Sequence, residues 1–137
     1  MKKILFVCTG NSVRSQIAEG IGRNLADGRF EVRSAGLAPM GIHPRAVKTM
    51  KDIGIDITAN DSTFLDQSLL RWADYVVILC SEARGKIPPL PPGVRLVNWD
   101  IKNPDKLYFS EEERDRGFAA VRDEIKERIE EFFEDIE

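Results

Sequence analysis

The sequence predicts an α/β domain, a three-layer sandwich in which a four-stranded parallel sheet is flanked by helices. Three observations carry this. Short apolar runs alternate with amphipathic stretches along the chain, the pattern of a mostly parallel sheet with crossover helices on both faces. The 137 residues suit a single domain, residues 1–137, with one core, and show no repeat, linker or low-complexity tract. The residues with chemistry to offer (Cys8, Ser34, Cys80 and the segment after Val97) fall at the carboxyl ends of the predicted strands, where sites in such sheets gather.

Lys3 to Val7 is a continuous apolar run, a strand buried on both faces. From Arg14 to Ala26, apolar residues at Ile17, Ala18, Ile21 and Leu25 form a helical stripe, which Asp27-Gly28 ends. Phe30 to Ser34 alternates as a second strand, and Ala35-Gly36 turns the chain. His43-Pro44 opens a second helix with proline in its first turn; Ala46, Val47, Met50 and Ile53 form its inner stripe and Gly54 stops it. Leu65 to Trp72 reads as a shorter third helix, and Tyr75 to Leu79 gives the strongest strand signal. Ser81 to Ile87 is expected to make one or two helical turns, and Pro88 to Pro92 a stiff loop. Val94 to Val97 is a fourth strand. Ser110 and Glu113 form a capping box for a long last helix, with Phe118, Val121, Ile125, Ile129 and Phe132 as its buried face.

A net charge of −3 gives no basic field for nucleic acid. No apolar stretch approaches the ~20 residues of a membrane helix. The opening MKKILFVC has an apolar segment well short of the roughly 7–15 residues of a secretion signal, so a cytoplasmic location is expected. The two cysteines lie far apart with no Cys/His cluster, which argues against a metal and for free thiols.

Ile4 to Ser15, ILFVCTGNSVRS, holds the most informative chemistry. A strand delivers Cys8 to a short loop, and a helix opens at Arg14. A free cysteine has a pKa near ~8.5, and a helix amino terminus, with unpaired N–H groups and about half a positive charge, favours the thiolate. The amides of Thr9, Gly10, Asn11, Ser12 and Val13 can converge on one point, with Gly10 and Asn11 tolerating unusual backbone angles. Arg14 offers a planar fork for two oxygens of a tetrahedral anion, and Ser15 a hydrogen bond to the sulfur. The nucleotide signatures GxxxxGK[ST] and GxGxxG are absent.

CTGNSVRSQIAEG, SAG at Ser34 to Gly36, LCSEA at Leu79 to Ala83 and LPPGV at Leu90 to Val94 together resemble the low-molecular-weight protein tyrosine phosphatase superfamily. The nearest branch is the thioredoxin-coupled arsenate reductases, and the resemblance runs from Lys2 into the last helix. It implies the phosphotyrosine protein phosphatase I-like fold, Cys8 as nucleophile, Arg14 as oxyanion ligand and Ser15 as thiolate support. It implies that Asn11, helped by Ser34, holds the loop in shape. It also implies that Cys80 attacks the Cys8 sulfur after arsenate has added to it, releasing arsenite and leaving a disulfide.

Two departures from the family pattern stand out. The third cysteine usual in the reductases is missing, and Glu82 and Ile87 stand where it would be sought. A disulfide would then be reduced directly by thioredoxin or a small thiol, or an external thiol would attack the arsenylated Cys8. The family's general acid is an aspartate before a proline. Here Asn103 precedes Pro104, with Asp100 and Asp105 flanking as substitutes if the loop shifts. Trp99 is expected to pack beneath this loop. Family relatives hold potassium with residues matching Asn11, Glu19 and Ser34 and with an aspartate that aligns with Thr63, so a weakened or absent cation site is expected. Taken alone, Glu19 reads as a solvated surface charge and His43 as a local helix-start residue.

Two enzymatic readings follow. One is a reductase taking arsenate to arsenite, with side phosphatase activity. The other is a phosphatase acting on phosphotyrosine or aryl phosphates through a Cys8 phosphocysteine. A phosphocarrier or oxyanion sensor is a weaker third, since such a domain would not need Arg14.

Overall fold

A computed structural model of the chain describes residues 1–106 and 109–137. Among these residues the order is β1 (Lys2–Cys8), α1 (Arg14–Ala26), β2 (Phe30–Gly36), α2 (Pro44–Lys51), α3 (Gln67–Trp72), β3 (Tyr75–Ile78), a single 3₁₀ turn (Ser81–Ala83), β4 (Arg95–Asn98) and α4 (Glu111–Ile136). The strands form one parallel sheet in the order β2-β1-β3-β4. β1 is therefore the point where the winding reverses. Cys8 at its end lies opposite Gly36 of β2, and Val7 opposite Ile78 of β3, so the thiol emerges in the crevice that such a reversal opens.

The alternation along β1 builds two cores. Ile4 and Phe6 face the side covered by α1, α2 and α4, where they meet Ile17, Ile21, Met50, Phe118 and Ile125. Leu5 and Val7 face the other side, with Leu65, Leu70, Val76 and Ile78. Helices cover both faces, as expected, but unequally.

Four expectations need correction. Ala35 and Gly36 continue β2, paired with Val7 and Cys8, and do not turn the chain. The third helix begins at Gln67, with Asp66 as its cap accepting from the Leu69 amide at 2.9 Å. Leu65 is buried by pairing with the end of β2, its amide bonding Gly36 O at 2.9 Å, so its burial comes from the sheet edge and not from a helix stripe. α2 ends at Lys51, and Gly54 (φ 78°) turns the chain; Ile53 is left exposed while Ile57 fills the core. On α4, Phe133 takes the buried position that periodicity gave to Phe132. Phe132 sits half out, edge-on to Tyr75 (5.4 Å) and Trp99 (5.9 Å). The capping box Ser110/Glu113 is present as read.

The end of β2 is pressed against the loop that follows Cys8. A Cβ on Gly36 would lie 2.7 Å from both the Asn11 amide nitrogen and the Thr9 carbonyl oxygen, backbone atoms that cannot swing away. Gly36→Ala is expected to destabilise by about 1–3 kcal/mol, the usual cost of overpacking. Urea unfolding of the purified variant measures this; an unchanged midpoint would mean the loop is not braced by β2.

Candidate active site

The loop from Thr9 to Val13 is held by its carbonyls. Thr9 O accepts from Ala38 N (2.8 Å), Gly10 O from Met40 N (2.9 Å), Ser12 O from His43 N (3.1 Å) and Val13 O from Ile17 N (2.9 Å). Asn11 O accepts from Gln16 Nε2 at 3.1 Å, and Ser62 Oγ bonds both Gly10 O and Asn11 O. A trans peptide points its N–H opposite its C=O. With the carbonyls of Thr9 to Ser12 committed outward, the amides of Gly10 to Val13 face inward. None of these four amides meets an acceptor among the described residues. α1 adds to this cradle, because its N-cap, Val13, brings no capping side chain to its first turn. The result is a cleft of about 400 Å³ whose floor is Cys8, Thr9, Gly10, Ser12, Val13 and Arg14.

Asn11 adopts φ 45°, the left-handed region that an asparagine tolerates. It does not line the cleft; its side chain turns behind the loop and is fully buried. Its Oδ1 accepts from Thr63 N at 2.7 Å, which fixes the orientation of the amide. Nδ2 then donates to Ser15 Oγ (2.7 Å) and to Ser34 Oγ (2.9 Å). Because Ser15 Oγ accepts from Asn11, its own proton is directed to Cys8 Sγ, 2.8 Å away. Asn11, Ser15 and Cys8 thus form a chain of donors ending on the sulfur, the arrangement that favours a thiolate.

Arg14 is nearly buried. Its NH1 donates to Ile101 O at 2.8 Å and its NH2 pairs with Glu82 at 3.1 Å, so the guanidinium is fixed at the wall of the cleft. Glu82 was not singled out as a site residue by the sequence. Burial alone would raise its pKa, but the Arg14 charge, a hydrogen bond with Cys80 and one from Arg14 outweigh this and hold it below the usual carboxylate range.

Cys80 is fully buried and does not line the cleft. Its Sγ lies 3.6 Å from the Thr9 hydroxyl, one residue from Cys8. Burial pushes its thiol above the ordinary value, and the neighbouring Cys8 adds to this, while Thr9 and Arg14 pull the other way. Both cysteines are free thiols.

In the loop after β4, Asn103 and Asp105 line the cleft and Asp100 does not. Asp105 is clamped, with one carboxylate oxygen 2.5 Å from Arg114 and the other 3.1 Å from His43 Nε2. Partial burial opposes ionisation, but these two partners overcome it and lower its pKa. A carboxyl so held is not poised to donate a proton. His43 Nδ1 accepts from Arg45 N at 3.0 Å, so His43 caps α2 as read and also lines the cleft. Trp99 packs in the core against Phe6 and Phe132. Met40, exposed above Gly10, forms part of the rim; the sequence carried no signal for it.

Glu19 is not the solvated surface charge it resembled. It is buried, accepts from Ser34 Oγ at 3.2 Å and pairs with Arg23 at 3.3 Å. Burial raises its pKa, with Arg23 and Ser34 opposing. Asn11, Glu19 and Ser34 do come together. However, Arg23 already supplies the positive charge beside Glu19, and Asn11 gives one lone pair of its oxygen to Thr63 N. The donor set does not suit a potassium ion, and no step is derived through one. Among the described residues no group of three or more His, Cys, Asp or Glu could hold a metal, and no helix is long and apolar enough to cross a membrane.

Residues 3–137 match the family model for low molecular weight phosphotyrosine protein phosphatase. A protein of Bacillus subtilis (strain 168) named arsenate reductase is 44% identical over 133 residues, 97% of this chain and 96% of that one. A solved arsenate reductase in the phosphate binding state superposes with a TM-score of 0.81 at 33% identity, covering 100% of both chains. A thioredoxin-dependent arsenate reductase of Corynebacterium glutamicum superposes with a TM-score of 0.82 at 29% identity, over 99% of this chain and 62% of that one. The strand–Cys–loop–Arg–helix cradle and the full-length match lead to one conclusion: the chain belongs to the low molecular weight phosphotyrosine protein phosphatase family.

Proposed function

We propose that the protein is a thiol-dependent arsenate reductase that uses Cys8 as nucleophile and Cys80 as resolving thiol. The observation that carries the reading is the donor chain ending on Cys8 beside an inward-facing amide cradle, with a second buried thiol one residue from it across Thr9. The 33%-identical reductase known in a phosphate-binding state supports a tetrahedral oxyanion as the guest.

In the first step the Cys8 thiolate attacks arsenic in H₂AsO₄⁻. An S–As bond forms and an As–O bond breaks. The departing oxygen takes both substrate protons and leaves as water, giving Cys8–S–AsO₃²⁻. Arg14 and the amides of Gly10 to Val13 hold the three remaining oxygens, aimed at charge that is already in place before reaction. In the second step Cys80, after losing its proton, attacks the Cys8 sulfur. An S–S bond forms, the S–As electron pair passes to arsenic, and arsenite leaves. Arsenic is reduced by two electrons and the two thiols are oxidised to a disulfide. An external dithiol or two monothiols, thioredoxin among them, then return the pair to thiols by exchange. A reducing compartment such as the cytoplasm suits two free thiols. The same cradle suits phosphate esters, so side activity on aryl phosphates follows from it.

Cys80→Ala separates the steps. Arsenate turnover with thioredoxin is expected to fall at least a hundredfold while hydrolysis of an aryl phosphate survives; equal retention of both would make Cys80 structural. Because burial keeps Cys80 protonated near neutrality, raising the pH supplies more of its thiolate. The resolving rate in single turnover is therefore expected to climb about tenfold per pH unit from pH 6 to 8.

Ser15→Ala removes a hydrogen bond to a charged acceptor, worth about 1.5–3 kcal/mol. Alkylation of Cys8 by iodoacetamide at pH 7 is expected to slow about tenfold or more, and an unchanged rate would refute the donor chain. With Arg23 paired to Glu19, exchanging potassium for sodium is expected to leave turnover unchanged, as steady-state assays at constant ionic strength would show.

A further inference from the structure

The outer wall of the cleft contains no group placed to give up a proton. Glu82 is held ionised by Arg14, and Asp105 by Arg114 and His43. The Nδ1 of His43 accepts from Arg45 N, which leaves its proton on Nε2, directed at Asp105. Asn103 differs from these three. It lines the cleft, and its Oδ1 accepts from Asp105 N at 3.0 Å. That bond commits the acceptor end of the amide to its own loop, and the clamp on Asp105 anchors the loop to α2 and α4. The donor end, two N–H groups with no acceptor among the described residues, remains for the cleft.

The geometry points to Asn103 as an amide donor to the bound oxyanion that selects for substrates carrying their own protons, arsenate over phosphate monoesters. The inference rests on the reading of this cleft as an oxyanion site and deepens it. The selectivity follows from proton balance. H₂AsO₄⁻ brings two protons, and its departing oxygen leaves as water with no acid from the protein. A phosphate monoester dianion brings none. When Cys8 attacks its phosphorus, an S–P bond forms, the P–O bond to the ester oxygen breaks, and RO⁻ must leave unprotonated past a wall that donates hydrogen bonds but no proton. Only esters of acidic alcohols, such as 4-nitrophenol, then leave readily.

The test compares wild type, Asn103→Ala, Asn103→Asp and Arg14→Ala. Two quantities are measured: the inhibition constant of inorganic phosphate against arsenate turnover at pH 7.5, and the hydrolysis of 4-nitrophenyl and phenyl phosphate at pH 7, above the ester pKa of about 6. Circular dichroism spectra confirm folding; Asn103 is exposed on a loop, so its variants are not expected to disturb the core. Wild type is expected to prefer 4-nitrophenyl over phenyl phosphate at least a hundredfold. Asn103→Asp, which supplies a proton donor, is expected to raise phenyl phosphate hydrolysis about tenfold or more, the low end of general-acid contributions. It should also weaken phosphate inhibition about tenfold as its carboxylate meets the dianion. Asn103→Ala is expected to weaken phosphate inhibition about threefold or more without gaining phenyl phosphatase activity. Wild-type phosphate inhibition in Asn103→Ala, or an unchanged leaving-group preference in Asn103→Asp, overturns the inference alone. If Arg14→Ala leaves phosphate inhibition unaltered, the oxyanion site itself is refuted and this inference with it.

Discussion

The left-handed backbone at Asn11 is the constraint on which the site depends. It lets four consecutive carbonyls, Thr9 to Ser12, turn away from Cys8, each toward a donor outside the loop, so that the opposite amides face the sulfur. A non-glycine residue at φ 45° costs energy, and the structure offsets it by satisfying the whole Asn11 side chain in a buried setting. Thr63 N, Ser15 Oγ and Ser34 Oγ take all of its polar capacity except one lone pair. Glycine would adopt the angle more cheaply but would leave Thr63 N without its acceptor and strip Ser15 Oγ and Ser34 Oγ of a donor in the interior, where an unmet polar group costs about 1–3 kcal/mol.

The same residue couples two jobs that need opposite chemistry. For the proposed reaction the cradle must present positive potential to an anion, and the sulfur must itself be an anion inside it. Amides and Arg14 serve both, since what attracts the oxyanion also stabilises the thiolate. The conflict is resolved by separating the donors. Ser15 is given to the sulfur from behind, and the loop amides are given to the guest in front. Glu82 balances the guanidinium from the exposed side, so Arg14 is buried with a partner and a backbone carbonyl rather than as a lone charge.

The sequence was most legible where chemistry is local. Cys8, Arg14 and Ser15 lie within eight residues on one strand–loop–helix unit, and loop geometry and helix start could be read from residue types alone. Four strands and the first helix were also readable, because their patterns depend on near neighbours. What escaped reading depends on partners far along the chain. Arg14 and Glu82 are 68 residues apart and His43 and Asp105 are 62 apart, and nothing in either segment announces the other. Glu19 looked like a surface charge because a helical carboxylate is usually solvated; only the approach of Ser34 and Arg23 shows how it is buried. Phe133 in place of Phe132 has a simpler cause. Over a 26-residue helix the period of 3.6 accumulates, and a ladder read in steps of three and four slips by one at its far end.

The placement of the two thiols sets how the catalytic cycle can be closed. Cys8 is 3% exposed and Cys80 fully buried, so a disulfide between them would sit at the floor of the cleft. With no third cysteine in the chain, the oxidising equivalent has no internal route outward. The reductant must bring its sulfur to the pair. Attack on the Cys8 side is sterically favoured, because Cys8 opens to the cleft and Cys80 does not. Leaving-group chemistry opposes it, because the sulfur expelled is the one not attacked and burial holds the Cys80 thiol above its ordinary value; the Thr9 hydroxyl and the Arg14 charge offset only part of this, so access decides. On the proposed mechanism the cleft that takes arsenate is then also the entry for the reducing thiol, and the two steps must alternate in a single opening of about 400 Å³.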